Sequence, residues 1–169
     1  WVVIDVKAAG LCHSDVAALE RESWMALINA APCIFGHECA GVVSEVGKGV
    51  KGFKVGDRVG VCPIDPKTGK AVGYDYDGGY ATKCAVPASC LVKIPNGVSF
   101  IQGAAATDAG ATAYHALFTV GKAKKGMKVG IVGVGGLGQF AARMAVLENC
   151  EVYAVDTNPN ARALAKKIG

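Results

Sequence analysis

Residues 127–155 constrain the fold more than any other stretch. Met127–Val132 is a short apolar run, Gly136–Glu148 is rich in helix formers, and Cys150–Val155 is a second apolar run. Strand, helix and strand in that spacing predict a parallel pair joined by a right-handed crossover. A further helix is expected from Asn158. The first strand leads directly into Gly133-Val134-Gly135-Gly136-Leu137-Gly138. A G-x-G-x-x-G turn alone is a weak signal, because this chain has 23 glycines in 169 residues, roughly twice ordinary usage. Between a strand and a helix it has the context a dinucleotide site requires. Gly133 permits the tight turn, Gly135 lets backbone approach a pyrophosphate, and Gly138 lets helix and strand pack closely. Gly136 and Leu137 open the helix, whose free N–H groups and dipole favour phosphate. Asp156 ends the second strand and suits the acidic position that binds an adenosine ribose. Its carboxylate would repel a 2′-phosphate, so NAD is expected over NADP. Two blander readings stay open here, a β-α-β turn without ligand and Asp156 as a helix cap.

The preceding residues have a different character. Val2–Lys7, Gly41–Glu45, Arg58–Val61, Gly79–Val86 and Leu91–Ile94 read as strands separated by Gly, Pro and Asp. Residues 63–78 read as an extended loop. Residues 99–107, with Ser99 as N-cap, and residues 109–120 are Ala-rich and suit helices. The expected organisation is therefore a β-rich unit over residues 1–98 and an α/β unit over residues 99–169. The second is too short to complete a doubly wound sheet.

Bulk composition mainly excludes. A net charge of +4 with 19% charged residues is too mild to predict a nucleic-acid or membrane-surface partner. No run approaches a membrane span, and the first residues do not read as a signal peptide. The seven cysteines form an odd set with no C-x-x-C pair, which argues against a disulfide framework and for a cytoplasmic location. Cys39, Cys62, Cys84, Cys90 and Cys150 are expected as buried thiols.

Cys12-His13-Ser14-Asp15 follows a strand, and Gly36-His37-Glu38 comes later. Cys12 alone could be a core thiol and His37 a satisfied buried histidine. Together they offer ligands suited to zinc, with carboxylates nearby to orient them. A catalytic zinc takes three protein ligands and keeps one position open. Composition does not choose the third.

At this point the motifs become specific. Gly36-His-Glu-Cys-Ala-Gly-Val-Val-Ser-Glu-Val-Gly47 and Phe53-Lys-Val-Gly-Asp-Arg-Val59, with Cys12–Asp15, Asp77-Gly-Gly-Tyr80 and Gly133–Gly138 in the same order, resemble the zinc-dependent medium-chain alcohol dehydrogenases. That resemblance implies a mixed α/β chain. A GroES-like β-barrel catalytic domain would fill residues 1–98, and an incomplete NAD(P)-binding Rossmann domain residues 99–169. It implies Cys12 and His37 as zinc ligands, Glu38 as an acid that can replace the metal's water, and Asp15 as the carboxylate behind His37. Ser14 would bind the alcohol hydroxyl and pass on its proton. His13 would face the cofactor phosphates, and Thr112 would border the nicotinamide.

Three departures from that pattern stand out. Asp108 occupies the third ligand's place, usually a cysteine; the competing reading is an N-cap for the 109–120 helix. Ala17 replaces a histidine that commonly ends the proton relay. The four cysteines of a structural zinc are missing, with Cys62 alone remaining, so one catalytic zinc is expected and no structural one. The implied reaction transfers a hydride between an alcohol and NAD, giving an aldehyde or ketone. The implied partners are small-molecule substrates and further copies of the chain, as a dimer or tetramer. Alternatives are a zinc-free quinone or enoyl reductase of the same superfamily and a non-enzymatic nucleotide-binding relative. Trp24, Met25 and Leu27 are candidates for the substrate pocket, with core packing an equal alternative.

Overall fold

A computed structural model describes residues 1–26, 28 and 32–169. The chain forms two compact units, Trp1–Asp108 and Ala109–Gly169.

The first unit is built on an antiparallel sheet of five strands: β1 (Val2–Gly10), β2 (Glu38–Val46), β3 (Arg58–Val61), β4 (Lys83–Val86) and β5 (Leu91–Lys93). Their spatial order is β4-β1-β2-β3-β5. All five expected strands form, but their ends differ. β1 and β2 outrun their apolar cores because each supplies the other's ladder, from Val2↔Val46 to Gly10↔Glu38. β4 starts later than expected because the N–H groups of Gly79 and Tyr80 bond to the carbonyls of Gly36 and Phe35 instead. The edge strands β4 and β5 are joined by the single turn Ala88–Cys90, which curls the sheet towards closure and limits exposed edges.

Val2, Ile4, Val43, Val59, Val61 and Val86 fill the core with Cys39, Cys84 and Cys90. Each buried aliphatic side chain contributes roughly 1.5–3 kcal/mol. Cys62 and Cys150 are only partly buried, so they are not the core thiols expected. Residues 63–78 form the extended loop expected, with no regular strand or helix. Bridges Ile64↔Ala71 and Val72↔Tyr76 fold it over the sheet, and Val72 is wholly buried.

Two helices in this unit have no clear sequence signal, α1 (His13–Glu20) and α2 (Glu22–Met25). α1 starts after Cys12, whose N–H donates to Asp15 Oδ2 at 3.0 Å. The carboxylate three residues into the helix reaches back over its first turn, a contact that a cysteine at the capping position conceals. α3 (Phe100–Ala105) begins at Ser99 as expected. Gln102 N–H donates to Ser99 Oγ and Ser99 N–H to Gln102 Oε1, a reciprocal cap. α3 packs on β1, β2 and β3. The following residues are helical but more widely wound: Ala106–Gly110 and His115–Val120 are π-type turns flanking α4 (Ala111–Tyr114). Wide turns of this type often mark functional positions.

The second unit continues with β6 (Lys128–Val132), α5 (Gly136–Leu147), β7 (Glu151–Val155) and α6 (Pro159–Ile168). β6 and β7 pair in parallel from Lys128↔Glu151 to Val132↔Val155. Asn149 takes the left-handed conformation just past α5 (φ 61°), a position that favours Gly or Asn. Asn158 caps α6 by accepting the Asn160 N–H at 2.9 Å, with Pro159 at the first helical position. Among the described residues no helix is long and apolar enough to cross a membrane.

Candidate metal centre and dinucleotide turn

The β1–β2 ladder ends at the pair Gly10↔Glu38, so Cys12 and His37 emerge at the same end of the sheet. Gly10 has no side chain there. A Cβ would lie 2.3 Å from Glu38 Oε2, so the glycine makes room for that carboxyl group. The segment after α3 brings Asp108. One donor atom from each of Cys12, His37, Glu38 and Asp108 then lies within 4.8 Å of the others. His37 Nε2 is 3.4 Å from Asp108 Oδ2, and His37 Nδ1 is 3.5 Å from Asp15 Oδ1. Asp108 is not an N-cap, since the helical path runs through it.

His37 and Glu38 are the two perturbed groups of the cluster. Burial alone would lower the His37 pKa, but Asp108, Cys12 and Asp15 outweigh it and push it up to about 9. Glu38 is raised above the usual carboxylate range, chiefly by burial and then by Asp108 and Asp15, against the opposing pull of His37. His37 Nδ1 and Asp15 Oδ1 are buried, and neither makes a hydrogen bond among the described residues. A sulfur, a ring nitrogen and carboxylate oxygens are donors that zinc accepts. The residues therefore fit zinc.

The neighbours of this cluster are placed as follows. Ser14 Oγ is 3.5 Å from Cys12 Sγ. Asp15 is almost fully buried and accepts hydrogen bonds from Cys12 N–H and, at 2.8 Å, from the Tyr80 hydroxyl. His13 is exposed and Ala17 buried. Trp24 is half-buried, Met25 is exposed, and Leu27 lies outside the described residues. The sequence reading missed Tyr74, whose ring is tilted against His37 at 5.7 Å. Its phenol is raised to about 12, first by burial and then by Asp15 and Cys12. It lies in the 63–78 loop, where the sequence pattern does not disclose its neighbours.

The glycine turn divides its tasks. Gly133 has φ +87°, a conformation that glycine adopts without strain. A Cβ on Gly138 would lie 1.8 Å from the Gly133 carbonyl oxygen, so helix and strand meet there with no room for a side chain. Around Gly135 and Gly136 a Cβ would meet nothing within 4 Å. Protein packing does not demand glycine at those two positions, and the open space lies at the start of α5. Thr112, Gly133, Gly135, Gly136 and Gly138 all border a cavity of about 410 Å³. Asp156 accepts Val134 N–H and Asn158 N–H, each at 2.7 Å, and these contacts hold its carboxyl below the usual range. It is not the cap of α6, a position taken by Asn158. The turn and its acid fit a dinucleotide.

The family model for the alcohol dehydrogenase GroES-like domain matches residues 1–96. An alcohol dehydrogenase from Geobacillus stearothermophilus is 39% identical over 184 residues, covering 99% of this chain and 54% of that protein. A solved acetophenone reductase from Geotrichum candidum NBRC 4597, in complex with NAD, has a TM-score of 0.84 at 29% identity. The match covers 99% of this chain and 53% of that one. A solved cobalt- and zinc-bound thermostable alcohol dehydrogenase from Pyrobaculum aerophilum has a TM-score of 0.85 at 29% identity, covering 99% and 55%. The chain spans about half the length of the curated relatives it matches.

Proposed function

The chain belongs to the medium-chain alcohol dehydrogenase family, and on that premise we propose that it transfers a hydride between an alcohol and NAD, giving an aldehyde or ketone, with one zinc held by Cys12, His37 and Asp108. The observation that carries this reading is the convergence of four metal-capable donors from sequence-distant segments, three of them carried by residues 12, 37 and 108. Cys12, His37 and Asp108 would hold a zinc that would supply Lewis acidity to the alcohol oxygen, and NAD in the glycine turn would supply the hydride acceptor.

The chain's own residues have distinct roles in this reading. Asp15, against Nδ1, keeps His37 in the orientation that presents Nε2 to the site. Glu38 is the reserve carboxylate beside the three ligands. Ser14, next to Cys12, takes the proton of the substrate hydroxyl. With Ala17 in place of a histidine, the proton continues through water. Gly133, Gly135, Gly136, Leu137 and Gly138 receive the pyrophosphate, and Asp156 receives the ribose and disfavours NADP. Thr112 borders the nicotinamide and His13 faces the cofactor phosphates. Residues 1–98 are the catalytic domain in this scheme, and residues 99–169 open the NAD-binding domain.

Self-association into a dimer or tetramer and a cytoplasmic setting complete the proposal. Seven free thiols support a reducing compartment. A zinc-free quinone or enoyl reductase fits less well, because it gives no reason for four metal-capable donors to converge. Metal analysis together with NAD binding tests the reading, followed by NADH formation with a panel of alcohols. About one zinc per chain, NAD binding and NADH formation are expected. Turnover by metal-free protein would overturn the zinc assignment, and NAD binding without turnover would favour a non-enzymatic relative.

A further inference from the structure

The Asp77-Gly78-Gly79-Tyr80 segment has no part in the function just proposed, yet it is bound closely to the chain that delivers His37. Asp77 Oδ1 accepts the Ile34 N–H at 2.9 Å. Gly78 N–H donates to Ile34 O, Gly79 N–H to Gly36 O and Tyr80 N–H to Phe35 O, at 2.6, 2.6 and 3.0 Å. The two glycines make this approach possible. A Cβ on Gly78 would lie 2.6 Å from Phe35 O, and one on Gly79 would lie 2.4 Å from Cys39 Cβ. The segment grips residues 34–36 immediately before His37.

Tyr80 then reaches further. Its hydroxyl lies 2.8 Å from Asp15 Oδ2 and 3.0 Å from the Gly10 carbonyl oxygen, the last residue of β1. The phenol has one hydrogen and no need to ionise. The other donor to Asp15 Oδ2 is the Cys12 N–H. With that oxygen held by two donors, Asp15 Oδ1 is the atom left facing His37 Nδ1.

We propose that Tyr80 is a positioning residue of the metal site, which acts by fixing the Asp15 carboxylate against His37 and so fixes the direction of His37 Nε2. The inference rests on the zinc reading. A residue behind a metal ligand typically contributes 10–100-fold in metal affinity. Tyr80 stands one contact further out, so its loss is expected at the low end, about tenfold.

The test is zinc affinity by competition with a chromophoric chelator, for the wild-type chain and for Tyr80→Phe, Asp15→Ala and the double variant. Tyr80→Phe is expected to bind zinc about tenfold more weakly, and Asp15→Ala at least as weakly as that. In the Asp15→Ala background, Tyr80→Phe is expected to cost nothing more, because the group it acts through is gone. The visible spectrum of the cobalt-substituted protein is expected to change with Tyr80→Phe, since the ligand field changes when His37 reorients. Near-ultraviolet circular dichroism of the metal-free variants checks that each still folds. If Tyr80→Phe does not fold, Tyr80→His, which keeps a ring donor, must bind zinc more tightly than Tyr80→Leu. Wild-type affinity and spectrum in Tyr80→Phe, or losses that multiply in the double variant, overturn this inference while leaving zinc binding standing. A wild-type chain that binds no zinc overturns the zinc reading and this inference with it.

Discussion

The two candidate sites are built by opposite means. The metal cluster is made of side chains: Cys12, His37, Glu38 and Asp108 come from three separate places in the chain and meet within 4.8 Å. The glycine turn is made of backbone: six consecutive residues and one acid supply its chemistry, and its main feature is the absence of side chains. In the first site polar groups crowd together, and the pKa values of His37 and Glu38 are raised. In the second, space is reserved, and Asp156 is held by two backbone N–H groups. A site of the first type fails when one side chain is removed. A site of the second type fails when one is added.

That contrast can be broken most sharply at His37. His37→Ala removes the central ligand and is expected to weaken zinc binding roughly 1,000-fold, beyond the 10–100-fold typical of outer partners. Equilibrium dialysis with zinc measures this, and retention of wild-type affinity would detach the cluster from metal binding. At the turn, Gly138→Ala is expected to destabilise the second unit by about 3 kcal/mol, the upper range for an overpacked position. Its new Cβ would meet the Gly133 carbonyl at 1.8 Å. Urea unfolding followed by circular dichroism tests it.

Gly135→Ala should leave stability within about 0.5 kcal/mol, since a Cβ meets nothing there. It should still weaken NAD binding at least tenfold, by occupying the approach of the pyrophosphate. Calorimetric titration with NAD gives this value, and equal damage to folding by both alanines would erase the division of tasks among the glycines. A smaller change is expected for Asp156→Asn, which should lower NAD affinity roughly tenfold through loss of a charged acceptor and narrow the preference over NADP.

The smallest expected effect concerns a carboxylate in neither site. Lys54, through its ammonium group and its backbone N–H, holds Asp57 down to about 2, with Lys93 adding to the effect. The unfolded chain, titrating near 3.8, binds the proton first as pH falls. The contribution of Asp57 is therefore complete above about pH 4 and is lost as pH drops towards 2. Asp57→Asn should flatten the acid limb of the stability curve in that window and leave neutral-pH zinc binding unchanged. Thermal unfolding from pH 2 to pH 5 checks it.

The same contrast explains how much the sequence disclosed. The β-α-β unit was legible to within one residue at each element because its information is local: an apolar run, a glycine turn, a helix, another apolar run. The central strands of the first unit were legible for the same reason. Their ends were not, because Gly10 and Glu38 are in a ladder only by virtue of each other. Gly79 and Tyr80 also look like strand, but their N–H groups bond to the carbonyls of Gly36 and Phe35 instead.

Cys12 and His37 stood out as ligand types, but the residues alone left the third ligand open. Only the family resemblance pointed to Asp108, and the packing of α3 on the sheet places it. Tyr74 escaped notice beside His37 because a tyrosine in a loop has no signature of its own, and Tyr80 was visible only as the end of the Asp77-Gly-Gly-Tyr80 motif. Their contacts depend on what those segments fold against. The N-terminal turn of α1 was hidden because cysteine is not a residue associated with a helix cap.

The central claim is that Cys12, His37 and Asp108 hold one zinc. A crystal of the protein grown with zinc, with diffraction recorded across the zinc absorption edge, tests it most directly. A single anomalous peak about 2.3 Å from Cys12 Sγ and about 2.0–2.2 Å from His37 Nε2 and an Asp108 carboxylate oxygen is expected. Ordered side chains with no peak between them, or a peak bound by other residues, would contradict the account.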